Sequence, residues 1–142
     1  MTMVKPNLTW LVGRWVKSVS KEDYTWSFLF DDGSLVITEA FWRLVSADGV
    51  TVTSEDHGHP FGLPVPVDAG EVAKKRIEHK PVERLDLDER TGDLSLCFTD
   101  GIALQFLTVS CGYDGWHTIH GDQEVISLGG GRIRTFTGET QG

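Results

Sequence analysis

The chain has 142 residues, 39% hydrophobic and 24% charged, the balance of one ordinary globular domain and not of a disordered chain. Its formal net charge of −8 excludes the phosphate-neutralising mode of nucleic-acid binding and attraction to an anionic membrane surface. The same charge suits a basic protein partner, and it also serves simple solubility.

In chain order, Met1-Thr-Met-Val-Lys-Pro6 holds no apolar signal region. Arg14–Val19 reads as an opening strand. Tyr24-Thr-Trp-Ser-Phe-Leu-Phe30 alternates, so Tyr24, Trp26, Phe28 and Phe30 fall on one face of a strand. Asp31-Asp-Gly33 reads as a hairpin turn, because Asp-Gly tolerates positive φ. Ser34–Thr38 is the β-branched return strand. Phe41–Val45 and Val50–Thr53 flank a second turn at Ala47-Asp-Gly49. Ser54–Pro66 is a connector with two His, two acids and three Pro.

One segment reads as a helix, over about residues 68–80. Asp68 is its N-cap, with Glu71 completing a capping-box pattern. Ala69, Val72, Ala73, Arg76 and Ile77 form one stripe, and Lys80-Pro81 ends it. Gly70 weakens its first turn. Strand patterns then return at Val82–Leu87, Asp93–Phe98, Ile102–Leu107, Trp116–Ile119, Glu124–Ser127 and Arg132–Phe136. Arg90-Thr-Gly92 and Thr99-Asp-Gly101 are turns, and Thr137–Gly142 reads as a frayed tail. No apolar run approaches membrane-spanning length, and the expected setting is a reducing cytoplasm.

The two sides of the helix repeat each other. Ser27-x-x-Phe30-x-Asp32-Gly33 recurs as Ser95-x-x-Phe98-x-Asp100-Gly101, at an offset of 68 that also sets Val19 against Leu87. Trp42-x-x-Val45-x-Ala47-Asp48 recurs as Trp116-x-x-Ile119-x-Gly121-Asp122 at an offset of 74, which places six extra residues near Thr108–Gly115. The expected fold is α+β, mostly β. Two antiparallel meander repeats of about four strands, near residues 14–54 and 82–128, form a sheet, sandwich or half-open barrel. The loop 54–67 and the helix join them in a single domain.

For chemistry, His57 and His59 stand two apart, so an extended backbone points them the same way as a candidate metal pair. The bland alternative is a rigid, proline-fixed connector. His117 and His120 are three apart on a strand and face opposite sides. Two cysteines, Cys97 and Cys111, are too few for a zinc site or a disulfide framework, and whether they pair is open. Cys97 reads as a small buried hydrophobe, and Cys111 near His117 as the better nucleophile of the two. No Gly-x-Ser-x-Gly elbow is present. Gly129-Gly-Gly131 lacks the Lys-Ser/Thr of a phosphate loop and reads as a tight turn. The tryptophans read as core, with Trp10 left as a partner contact.

Three short motifs carry a resemblance: Leu96-Cys-Phe98-Thr-Asp-Gly101, Gly112-Tyr-Asp-Gly-Trp116 and Ile126-Ser-Leu-Gly-Gly-Gly131. With them, residues 94 to 136 resemble small, uncharacterised bacterial β-rich proteins marked by Phe-x-Asp-Gly, Tyr-x-x-Trp and a Gly-Gly turn. Proteins of that kind have been proposed as immunity proteins beside bacterial toxins. The resemblance therefore implies a stoichiometric inhibitor with no catalytic residues to carry over. The relatives have a charged or polar residue before the Trp; here it is Gly115, so no contact role transfers to that position.

The leading expectation is a non-enzymatic binding protein for a basic partner, without a cofactor. Its contact candidates are Glu55, Asp56, His57, His59, Phe61, Tyr113 and Asp114. One alternative is a small metal-dependent or ligand-binding enzyme using His57 and His59. Another is a self-associating module, a homodimer paired through meander edges.

Overall fold

The computed structural model describes residues 7–137. Met1–Pro6 and residues 138–142 of the expected tail lie outside the described residues, and Thr137 ends a strand. Among the described residues the first half forms β1 (Val16–Glu22), β2 (Thr25–Phe30), β3 (Leu35–Thr38), β4 (Trp42–Ser46) and β5 (Gly49–Thr53). After α1 (Ala69–Ile77) come β6 (Arg84–Leu87), β7 (Leu94–Cys97), β8 (Ala103–Phe106), β9 (Trp116–His120), β10 (Gln123–Ser127) and β11 (Ile133–Thr137).

The strands build two antiparallel sheets that do not close into a barrel. The first runs β1-β2-β3-β9-β10-β11 and the second β5-β4-β8-β7-β6. Neither half is the self-contained four-stranded meander that the sequence suggests. The first half gives three strands to one sheet and a hairpin to the other, and the second half gives three strands to each, because the links 39–41 and 107–115 cross between sheets.

The two halves carry the same ladder. The β2–β3 pairs Trp26↔Thr38 and Leu29↔Leu35 recur 68 residues on as Leu94↔Phe106 and Cys97↔Ala103. The cross-half pair Val36↔Thr118 has its counterpart in Leu104↔Leu44. Asp32-Gly33 and Asp100-Gly101 both sit at ribbon tips, where Phe30 N–H donates to Ser34 O and Phe98 N–H to Ile102 O, each at 2.8 Å. One alignment needs correction. Val19 pairs with Phe28, and the residue holding that place against Leu96 is Leu85, not Leu87. The connection between β6 and β7 is therefore two residues longer than the one between β1 and β2.

Period-2 alternation explains the core. Trp26, Phe28 and Phe30 point inward from β2, and Leu94 and Leu96 from β7. Phe28 of the first sheet meets Trp42 and Phe106 of the second edge-on, at 5.3 and 5.1 Å between ring centroids, an arrangement that favours aromatic pairs. Trp26, Trp42 and Trp116 are buried as expected. Cys97 is not: alternation places it on the outer face of β7, half-buried beside Asp86.

The helix lies against β1 and β5, one edge strand of each sheet, covering unpaired backbone groups there. Ala69, Gly70, Ala73 and Ile77 are its buried stripe. Gly70 has a packing reason: a Cβ there would stand 3.2 Å from both Trp26 and Val19. Asp68 caps α1 by accepting from Glu71 N–H at 3.1 Å. The reciprocal capping box is found at Thr53 and Asp56, which fixes the start of the 57–67 loop.

Candidate functional site

The largest of five depressions on the described surface lies on the outer face of the first sheet. It is a groove of about 590 Å³ whose floor is β2, β3, β9 and β10, and whose wall is residues 112–115. Alternation turns Ile37, His117, Ile119 and Glu124 outward onto this floor. Glu39, on the short link into β4, closes one end.

The wall lies in the segment 108–115 that carries the excess residues of the second half, and glycines hold it in place. Ser110 Oγ accepts from the N–H groups of Gly112 and Tyr113 at 3.0 and 2.9 Å. Gly130 N–H donates to Ser110 O at 2.9 Å. A Cβ on Gly129 would stand 2.5 Å from Gly112 N, and one on Gly131 would strike Arg90 O. Gly129-Gly-Gly131 is therefore a close-approach junction for three chain segments, as the tight-turn reading anticipates and in a more demanding form.

Charge in the groove is one-sided. His117 sits between two carboxylates, with Nδ1 3.2 Å from Glu124 Oε2 and Nε2 3.8 Å from Asp114 Oδ2. Among the described residues Glu39 accepts only from the Thr25 hydroxyl, at 3.4 Å. Three carboxylates thus face one imidazole, which can donate to both neighbours only when doubly protonated. Tyr113 stands exposed on the rim. Glu39 also lines an adjoining depression with Lys21, Tyr24, Phe41, Glu55 and Val109. Together the two depressions make one continuous surface that presents Tyr24, Val109 and Tyr113 to solvent amid carboxylates.

The structure brings three of the expected contact residues onto this surface: Glu55, Tyr113 and Asp114. The others sit apart from it. Asp56 accepts from Thr53 N–H at 2.9 Å. His57 Nδ1 accepts from Ala69 N–H at 3.1 Å, and its ring stands edge-on to Trp26 at 5.1 Å. His59 stacks on Phe61 at 5.5 Å. The two imidazoles thus have different neighbours, because Gly58 takes a φ of 85° and breaks the extended backbone that would align them. Among the described residues no group of three His, Cys, Asp or Glu side chains is arranged to hold a metal ion.

Nucleophilic arrangements are equally incomplete. Ser34 Oγ is 2.8 Å from His120 Nδ1, and Asp32 Oδ2 is 3.8 Å from that same nitrogen. A serine relay needs the carboxylate and the hydroxyl on opposite ring nitrogens. The cluster instead latches the short 3-10 turn Thr9–Leu11: Trp10, which the sequence leaves as a partner contact, stacks on His120 at 4.4 Å, their planes 5° apart. Partial burial alone pushes the Asp32 carboxyl up. The Ser34 N–H and hydroxyl, with Arg14 and His120 nearby, more than reverse this and leave it below its ordinary value. Burial, aided by Asp86 against Arg84, pushes the Cys97 thiol up, toward the unreactive form. Both cysteines are free, and His117, the base envisaged for Cys111, is engaged by Asp114 and Glu124.

Glu39, His117, Glu124 and Tyr24 are the site residues that sequence reasoning missed. Alternation on β9 and β10 carried a signal for His117 and Glu124, since both must face outward once Trp116 and Val125 face in. Glu39 gave none, because only the sheet exchange brings its link to the groove lined by β9 and β10. No helix among the described residues is long and apolar enough to cross a membrane. No protein-family model matches the chain, and no curated protein or solved structure matches it either.

Proposed function

We propose that the chain is a non-enzymatic binding protein that docks a basic protein partner, in the manner of an immunity-type inhibitor. One observation carries the reading: exposed Tyr24, Val109 and Tyr113 share a continuous surface with Glu39, Glu55, Asp114 and Glu124. Tyrosine is over-represented at protein interfaces and at their energetic centres. Carboxylates around it speed encounter with a cationic surface and set register. The glycine junction supplies a pre-ordered wall, which lowers the entropy lost on docking.

The test is to capture the partner from source cells at low salt, identify it by mass spectrometry, purify it and titrate it. A partner of high pI is expected, with an association rate that falls steeply as salt rises. Replacing Glu39 and Glu124 together by Gln should weaken binding about tenfold or more. A partner that binds both versions equally well, or that is itself acidic, sinks the proposal.

A further inference from the structure

The loop between β5 and α1 has no counterpart in the second half, and it holds apolar side chains away from the core. Phe61, Leu63 and Val65 are 64, 56 and 71% exposed. Pro60, Pro64 and Pro66 beside them are exposed as well. Isolated exposed apolar residues are ordinary, but a contiguous run marks an interaction site.

The loop is built to stay in this shape. Gly58 N–H donates to Val67 O at 2.8 Å, and Val67 N–H to His59 O at 2.9 Å, which closes the base. At the tip, Leu63 N–H donates to Pro60 O at 2.7 Å. Phe61 and Gly62 between them have φ of 45° and 79°. That is a type I′ turn, whose first central position favours Asn, Asp or Gly. A bulky aromatic there is strained, and strain persists where function holds it. Phe61 is thus both strained and unburied, so folding alone gives no account of it.

We infer that residues 59–66 form an apolar anchor, with Phe61 at its tip, that seats in an apolar, lysine- or arginine-rimmed pocket of the partner protein. The inference rests on the partner-binding reading above. The tip is convex and so needs a concave receptor. In sequence the loop is flanked by Glu55, Asp56, Asp68 and Glu71, of which Glu55 and Glu71 accept no backbone N–H among the described residues, and this charge favours a basic rim. The same carboxylates oppose an anionic membrane. They also oppose a second copy of this chain, and five depressions on the described surface each carry at least two charged side chains, which would not receive an apolar tip.

The experiment places photoreactive benzoylphenylalanine in the full chain at Phe61, at Tyr113 in the groove wall, or at exposed Lys17 as control, with irradiation in source cells and identification by mass spectrometry. Crosslinks from positions 61 and 113 to one basic protein, with none from 17, support both readings. Capture from 113 alone removes the anchor and leaves the partner reading. Capture from 61 alone keeps the anchor and removes the groove. Adducts from 61 to lipid or to a second copy overturn the anchor, and capture from neither position overturns both. The captured protein is then titrated with Phe61→Asn and Phe61→Leu. Phe61→Asn should weaken binding about tenfold or more, as loss of an interface hot spot does, without lowering Tm, since Asn suits the left-handed turn. Phe61→Leu should stay within about threefold, because an apolar anchor is retained. A lower Tm with unchanged affinity for Phe61→Asn would mark Phe61 as structural and end the proposal.

Discussion

The outer faces of the two sheets occupy equivalent places in the two halves and have gone different ways. On the first sheet, His117 stands amid Glu39, Asp114 and Glu124 in a groove of about 590 Å³. On the second, the matching position is Arg43, whose Nε donates to Gln105 Oε1 at 2.7 Å, and the depression there is about 310 Å³. Two of the three carboxylates lining that depression accept backbone N–H groups, and the third, Asp86, stands 3.6 Å from Arg84 Nη2. Asp93 accepts from Thr108 N–H at 2.8 Å, and Asp88 accepts from Arg90 and Thr91 N–H at 2.9 and 3.2 Å. Those of the first face meet only side chains. Matching central ladders therefore do not make equivalent surfaces. The difference comes from the crossing link, which is long and glycine-braced at 107–115 and short at 39–41.

The largest effect should come from the brace. Gly129→Ala would set a methyl carbon 2.5 Å from Gly112 N, and we expect a loss of about 3 kcal/mol together with displacement of the Tyr113–Asp114 wall. Chemical denaturation reads the first, and amide shifts of residues 110–115 the second. Full stability in this variant would remove the brace from the argument.

Next, the equivalent tryptophans can be set against each other. Trp116 Nε1 donates to Gly92 O at 2.8 Å, whereas the buried Trp42 Nε1 has no partner among the described residues. Trp116→Phe should therefore cost about 1–2 kcal/mol more than Trp42→Phe, since only the former strands a buried acceptor. Equal losses in urea titrations would contradict this.

The two faces are separated by a smaller pair of changes. Glu124→Gln should shift stability by less than about 0.5 kcal/mol, as an exposed charge pair does. Asp93→Asn should cost about 1 kcal/mol by weakening the bond from Thr108 N–H, while leaving partner affinity unchanged. The reverse assignment would mean the wrong face has been taken as functional.

The smallest effect is acid sensitivity at the first ribbon tip. Asp32 has its carboxyl held below the ordinary value in the folded chain. Its contribution to stability is then present above its unfolded pKa of about 4 and disappears as pH falls through the lower folded value. Asp32→Asn should flatten the acid limb of a Tm-against-pH curve in that window. At the equivalent tip Asp100 reaches instead to Lys80 Nζ, at 3.1 Å.

What the sequence determined by itself is whatever depends on near neighbours. Alternation placed Trp26, Phe28 and Phe30 inward, Asp-Gly pairs marked both ribbon tips, and Asp68 marked the start of α1. The matched spacing of the halves also located the excess residues that wall the groove, and Tyr113 and Asp114 within it. Tertiary structure decided the rest. Pairing of β3 with β9 and of β4 with β8 joins residues about 80 and 60 positions apart, and alternation cannot choose between pairing within a half and pairing across halves. That choice sets Glu39 and Glu124 around one groove. Local exceptions settled the remainder: a left-handed Gly58 parts His57 from His59, and the outward side of β7 takes Cys97. A site assembled from four strands and a link exists only after long-range pairing is fixed, whereas turns and faces are set by a few adjacent dihedrals.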